Sequence, residues 1–68
     1  MMSTISLKAA RVNAGLRQAD VAKELGVTPD TVGNWENGKT YMNGKQLQRL
    51  CALYRVDLGE IFLPNNFG

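Results

Sequence analysis

The stretch from Arg17 to Gly38, RQADVAKELGVTPDTVGNWENG, constrains this chain more than any other part of it. It spells two short helices separated by a tight turn. Val21, Ala22 and Leu25 form an inward stripe on the first, with Asp20, Lys23 and Glu24 on its wet side. Gly26 comes next, a residue that enters the left-handed region without the steric cost a Cβ brings, and Val27 plugs the turn. Thr28 then caps the second helix, Pro29 takes its first position, where a missing N–H is harmless, and Asp30 suits the helix dipole. The spacing predicts helices over residues 18–25 and 29–37, the latter stopped by Gly38. At about 100° per residue, Val32, Trp35 and Glu36 share one side of the second helix. Asp30, Gly33, Asn34 and Asn37 share the other, with Thr31 at its edge.

The flanking sequence adds helices to this pair. Ser6 is placed to cap a first helix, with Ile5 stapling onto Ala10. Leu7, Ala10 and Ala14 fall on one face of it, Gly15 ends it, and Leu16 tucks back under. A loop over Lys39 to Gly44 leads to a fourth helix over 45–54, where Leu47, Leu50, Cys51 and Tyr54 face inward. Val56 plugs the next turn and Asp57 caps a fifth helix, in which Leu58, Ile61 and Phe62 complete the core before Pro64. The expected core is therefore Leu7, Val21, Ala22, Leu25, Val32, Trp35, Leu47, Leu50, Cys51, Tyr54, Val56, Leu58, Ile61 and Phe62. The expected fold is all-α, with five helices in a single domain over 1–68 and a tail over 64–68.

Composition narrows the function classes. The chain is 44% hydrophobic and 21% charged, which suits a folded domain, and a net charge of +2 neither requires nor forbids a nucleic-acid partner. There is one cysteine, Cys51, and no histidine. That excludes an internal disulfide and a four-ligand zinc site, removes the commonest general base, and leaves no sign of an enzyme or a cofactor. Cys51 reads as a small core residue, since nothing beside it in sequence would activate a thiol. No apolar run approaches the roughly 18 residues of a membrane span, and the opening MMSTIS lacks the features of a signal peptide, so a cytoplasmic setting without membrane contact is expected.

Taken together, the pattern L-x-Q-x-x-x-A-x-x-x-G-V-T-P-x-T-V-x-x-W-E-N-G-K over the two central helices, and L-x-x-L-C-x-L-Y-x-V-D-L-x-E-I-F after them, resembles the lambda repressor/Cro (XRE) family of helix-turn-helix regulators. The resemblance runs from about Leu7 to Phe62 and places the helix-turn-helix over 17–38. In this motif the second helix enters the DNA major groove. Two departures stand out. Arg17 occupies a position where the family often has a capping serine or threonine, and Asp30 and Gly33 stand where larger or neutral polar groups are common.

The resemblance and the side-chain chemistry together assign roles. Gln18 is implied as a phosphate contact, and Arg17 reads as a phosphate contact or a solvated charge. Asn34 has the amide that pairs with adenine in the major groove. Thr31 and Thr28 suit a phosphate or a thymine methyl, although capping alone explains Thr28. Asp30 suits cytosine N4 or simply starts the helix, and Gly33 permits close approach to a base pair or has no role. Asn37, Lys39, Thr40, Tyr41 and Lys45 come after as backbone contacts, with Tyr41 alternatively packing on its loop. Glu36, on the inner side, needs a partner, and the resemblance implies a structural ion pair with Arg11.

The leading expectation is a repressor of phage or mobile-element type, a homodimer on double-stranded DNA, recognising a palindromic operator. The fifth helix and the tail, with Phe67, are the expected dimer surface. The alternative is an antitoxin-like interaction module whose main partner is a protein.

Overall fold

The computed structural model describes residues 4–63, so the tail over 64–68 and its Phe67 lie outside the described residues. The chain runs β1 (Ile5–Ser6), α1 (Leu7–Asn13), α2 (Gln18–Leu25), α3 (Pro29–Glu36), α4 (Gly44–Tyr54), a single 3₁₀ turn (Leu58–Glu60) and β2 (Ile61–Phe62). Local chemistry sets most of these limits. Ser6 Oγ accepts from the Ala9 N–H at 3.0 Å and starts α1. At the other end, the Leu16 N–H reaches back to the Arg11 carbonyl at 3.2 Å, which draws Leu16 under the helix. Gly26 closes α2 at φ 71°, and Val27 then bonds the Ala22 carbonyl at 3.0 Å. Only glycine takes that conformation freely, and the sharp turn between α2 and α3 depends on it.

Helix α4 starts one residue before the expected position because Asn43 and Gln46 form a reciprocal cap. Asn43 Oδ1 accepts from the Gln46 N–H at 2.8 Å, and Gln46 Oε1 accepts from the Asn43 N–H at 3.0 Å. The helix ends on Arg55, which adopts a left-handed φ of 59°. Arg49, on the outer face of α4, donates from Nη2 to the Glu24 carbonyl at 2.7 Å and so satisfies an end-carbonyl of α2.

The core lies between the helices. Leu50, Val21 and Val32 are its largest fully buried side chains, and each contributes about 1.5–3 kcal/mol by leaving water. Leu7, Ala10, Ala22, Trp35, Leu47, Tyr54 and Ile61 surround them, while Leu25, Cys51 and Val56 are only partly buried at the margin. Met42 also belongs to the core at 4% exposure, pinning the loop between α3 and α4.

Three expectations need correction. Among the described residues there is no fifth helix: the Asp57 start signal is real, with its N–H donating to Glu60 Oε1 at 3.0 Å, but it opens only the 3₁₀ turn. Gly59 weakens any helix there, and Pro64 disfavours helical geometry at the residue before it. Instead β2 pairs in parallel with β1, Ile5 opposite Ile61 and Ser6 opposite Phe62. The two-residue alternation of a strand then buries Ile61 and turns Phe62 outward, so Phe62 (58% exposed) and Leu58 (55%) are not core residues. Ala14, expected on the inner face of α1, is exposed because α1 has already ended at Asn13. Among the described residues, no helix is long and apolar enough to cross a membrane.

Candidate nucleic-acid interface

Helix α3 is anchored from behind and presented outward. Val32 and Trp35 are buried on its rear, while Asp30 is exposed and Thr31, Gly33 and Asn34 are half-buried. At its start, Thr28 Oγ1 accepts from the Thr31 N–H at 3.2 Å and lies 2.9 Å from Thr31 Oγ1. The two hydroxyls therefore share a hydrogen bond, and together they cap α3 and offer the remaining lone pairs and hydrogen to solvent or a ligand.

The missing cap at Arg17 is made from the other side. The Arg17 N–H donates to Asp20 Oδ2 at 2.8 Å. An arginine side chain has no acceptor, so only this half of a reciprocal cap forms. Asp20 also receives the guanidinium, Nε to Oδ2 and Nη2 to Oδ1, each at 3.2 Å. These bonds hold the Asp20 carboxyl below its ordinary pKa. An acid three residues after the missing cap was the available sequence signal, and the wet-side reading of Asp20 overlooked it. Arg17 thus has a partner within its own helix start, in an exposed ion pair whose arginine side chain stays 83% open to solvent.

Gln18, the first residue of α2, lies across α3. Its Nε2 donates to Glu36 Oε1 at 3.1 Å. A Cβ placed on Gly33 would stand 3.4 Å from that Nε2, 3.8 Å from Oε1 and 3.9 Å from Cδ. The Gln18 carboxamide therefore lies beside the position a Gly33 Cβ would take, at contact distance, and leaves room for that carbon. Glu36 is held in turn by Arg11, whose Nε donates to Oε2 at 2.7 Å and whose Nη1 donates to the Leu16 carbonyl at 3.0 Å. The side chains of this pair are 10% and 5% exposed, so one buried network joins α1, α2 and α3. Hydrogen bonding to Glu36 raises the Arg11 pKa, partly offset by burial. Tyr54 packs nearby in the core, and its phenol is pushed well above the ordinary value, by burial first and by Glu36 second. Burial also pushes the Cys51 thiol up, the opposite of activation.

The segment after α3 carries the remaining polar side chains. Asn37 caps the helix through its N–H to the Gly33 carbonyl at 2.9 Å, and the Lys39 N–H bonds the Asn34 carbonyl at 2.9 Å. Asn37, Lys39, Thr40 and Tyr41 are exposed, with Tyr41 at 65%. Lys45 is exposed at the second residue of α4, where a cation opposes the helix dipole. Met42 holds this segment against the core, and its apolar character inside a polar loop was the signal for that.

A short helix, a glycine turn and a capped second helix with a polar outer face are the parts of a helix-turn-helix. A helix-turn-helix family profile matches residues 7–61, which is most of the chain. No curated protein and no solved structure gives a significant match. The chain belongs to the lambda repressor/Cro-like (XRE) family of helix-turn-helix proteins, whose members are DNA-binding regulatory domains.

Proposed function

We propose that this protein is a sequence-specific transcriptional repressor that binds a palindromic operator as a homodimer and acts by occluding a promoter. The observation that carries the reading is α3: Val32 and Trp35 fix it to the core, and its Asp30, Thr31 and Asn34 side remains outward. Asn34 supplies the donor and acceptor for adenine, with Thr31 and Asp30 flanking it as further base contacts. Gln18 at the start of α2 and Asn37, Lys39, Thr40, Tyr41 and Lys45 beyond α3 supply backbone contacts that set register. One such module touches few base pairs, so a dimer with recognition helices about 34 Å apart supplies the specificity. Leu58 and Phe62, both more than half exposed, support a partner surface near β2. No cofactor enters this mechanism, and the setting is the cytoplasm.

Selection of bound duplexes from a random pool tests the reading. The expected product is a two-fold symmetric motif with half-sites one helical turn apart. Asn34→Ala is expected to lose discrimination at one base pair per half-site, by roughly 1–3 kcal/mol. Enrichment of no duplex, or an unchanged motif in the Asn34 variant, would contradict it.

A further inference from the structure

We infer that Glu36 is a positioning residue for DNA binding: it seats the Gln18 carboxamide against α3, over Gly33, and so sets which hydrogen-bonding groups the start of α2 offers. The inference rests on the DNA-binding reading above. A glutamine at an exposed helix start samples many rotamers and loses that freedom on binding a ligand. Gln18 is different in three respects. Its Nε2 donates to Glu36 Oε1 at 3.1 Å, and a carboxylate can only accept, which fixes the amide's orientation. Its Nε2, Oε1 and Cδ all lie within 4 Å of the place a Gly33 Cβ would occupy, so the amide lies against α3 beside Gly33. Finally, the carboxylate that holds it is immobilised, because Arg11 binds Glu36 at 2.7 Å and is itself tied to the Leu16 carbonyl at 3.0 Å.

One Nε2 hydrogen is consumed by Glu36. The second hydrogen and the carbonyl oxygen are the groups of this ordered amide that a ligand would meet. The buried pair therefore has a second role beyond joining α1 to α3. It orders a group at the protein's surface through a chain of side chains that starts at the Leu16 carbonyl.

The test replaces the whole pair, Arg11→Met with Glu36→Leu, because removing one partner would strand a buried charge whereas apolar residues of similar volume keep such folds intact. A thermal melt checks the fold. The first readout needs no DNA: the side-chain NH₂ signals of Gln18 in the free protein, expected to be shifted and slow to exchange in the parent and to return to free-glutamine values in the variant. The second is affinity for the duplex recovered from the random pool. The variant is expected to lose about tenfold, the worth of one hydrogen bond to a charged partner, matching Gln18→Ala. Adding Gln18→Ala to the variant is expected to cost nothing more. A folded variant that binds like the parent, an equal cost of Gln18→Ala in both backgrounds, or free-glutamine signals in the parent would each overturn the inference. If the double variant does not fold, Gly33→Leu takes its place, since it occupies the seat and leaves the ion pair paired; it is expected to release the same signals. A parent that enriches no duplex overturns the DNA-binding reading itself, while the Gln18 signals still decide whether the seat exists, so the two failures are distinguishable.

Discussion

Gly33→Ala separates the two possible uses of the glycine in α3. Gly33 sits inside the helix with ordinary helical backbone, so it forfeits the roughly 0.8–1.0 kcal/mol by which alanine is the better helix residue. Nothing in the structure resists the extra carbon. Its nearest neighbour would be Gln18 Nε2 at 3.4 Å, an ordinary van der Waals contact with the end of a flexible side chain. The substitution is therefore expected to stabilise the fold by about 1 kcal/mol, which for a domain of this size raises the melting midpoint by roughly 4–8 °C. Urea and thermal unfolding, monitored through the fluorescence of the single tryptophan Trp35, measure it. Because the Gln18 amide keeps its seat, affinity for the selected duplex is expected to stay within about twofold, less than one hydrogen bond is worth. A drop in stability would show that the amide is packed more tightly than these distances say. Gained stability with a large loss of affinity would show that position 33 meets a base pair directly, and the account of Gln18 as the group beside that position would be wrong.

The same geometry sets three further outcomes. Asp20→Asn keeps an acceptor for the Arg17 N–H but releases the guanidinium to compete for phosphate, so DNA affinity should rise and its logarithmic salt slope steepen by about 0.9; an unchanged slope would place Arg17 away from the backbone. Burial raises the Tyr54 pKa above its ordinary 10.0, so above that pH the unfolded chain loses a proton the folded chain keeps, and stability is full below pH 10 and falls as pH rises further. Tyr54→Phe should lack that component of the alkaline loss, and parallel urea midpoints for the two proteins across the alkaline range would refute the assignment. Arg55→Gly removes a left-handed strain of about 1–2 kcal/mol at the end of α4 and adds back about 0.4–1 kcal/mol of unfolded-chain entropy, so a net gain near 0.5–1 kcal/mol is expected in the urea midpoint, and a loss would mean the arginine side chain is holding the helix end.

The helix-turn-helix was legible because its signals are local. Helix α2 was expected over 18–25 and spans Gln18–Leu25, and α3 begins at Pro29 beneath a Thr28 cap, since a cap, a proline and a glycine turn each act within a few residues. The C-terminal end was misread for the opposite reason. Asp57 does start a turn toward Glu60, but the conformation of residues 61 and 62 is decided by Ile5 and Ser6, far away along the chain, which pair with Ile61 and Phe62. A one-dimensional pattern registers the start signal and cannot register the competing strand.

The candidate interface divides along the same line. From residue order alone came the outward face of α3, the polar segment after it and the resemblance that implied an Arg11–Glu36 pair. Tertiary structure supplied the neighbours of Gln18 and Gly33. The bond from Gln18 to Glu36 spans 18 residues, and no periodicity within one helix encodes it. Likewise Arg17 reads in sequence as a phosphate contact or a solvated charge, and in space it pairs with Asp20 while staying largely exposed. Caps, turns and amphipathic faces are set by neighbours in the chain, so the sequence by itself determined that a capped helix would be held out from an apolar core. The hydrogen-bonding state of each group around that helix depends on which segments pack against it, and only the folded arrangement of α1, α2 and α3 decided that.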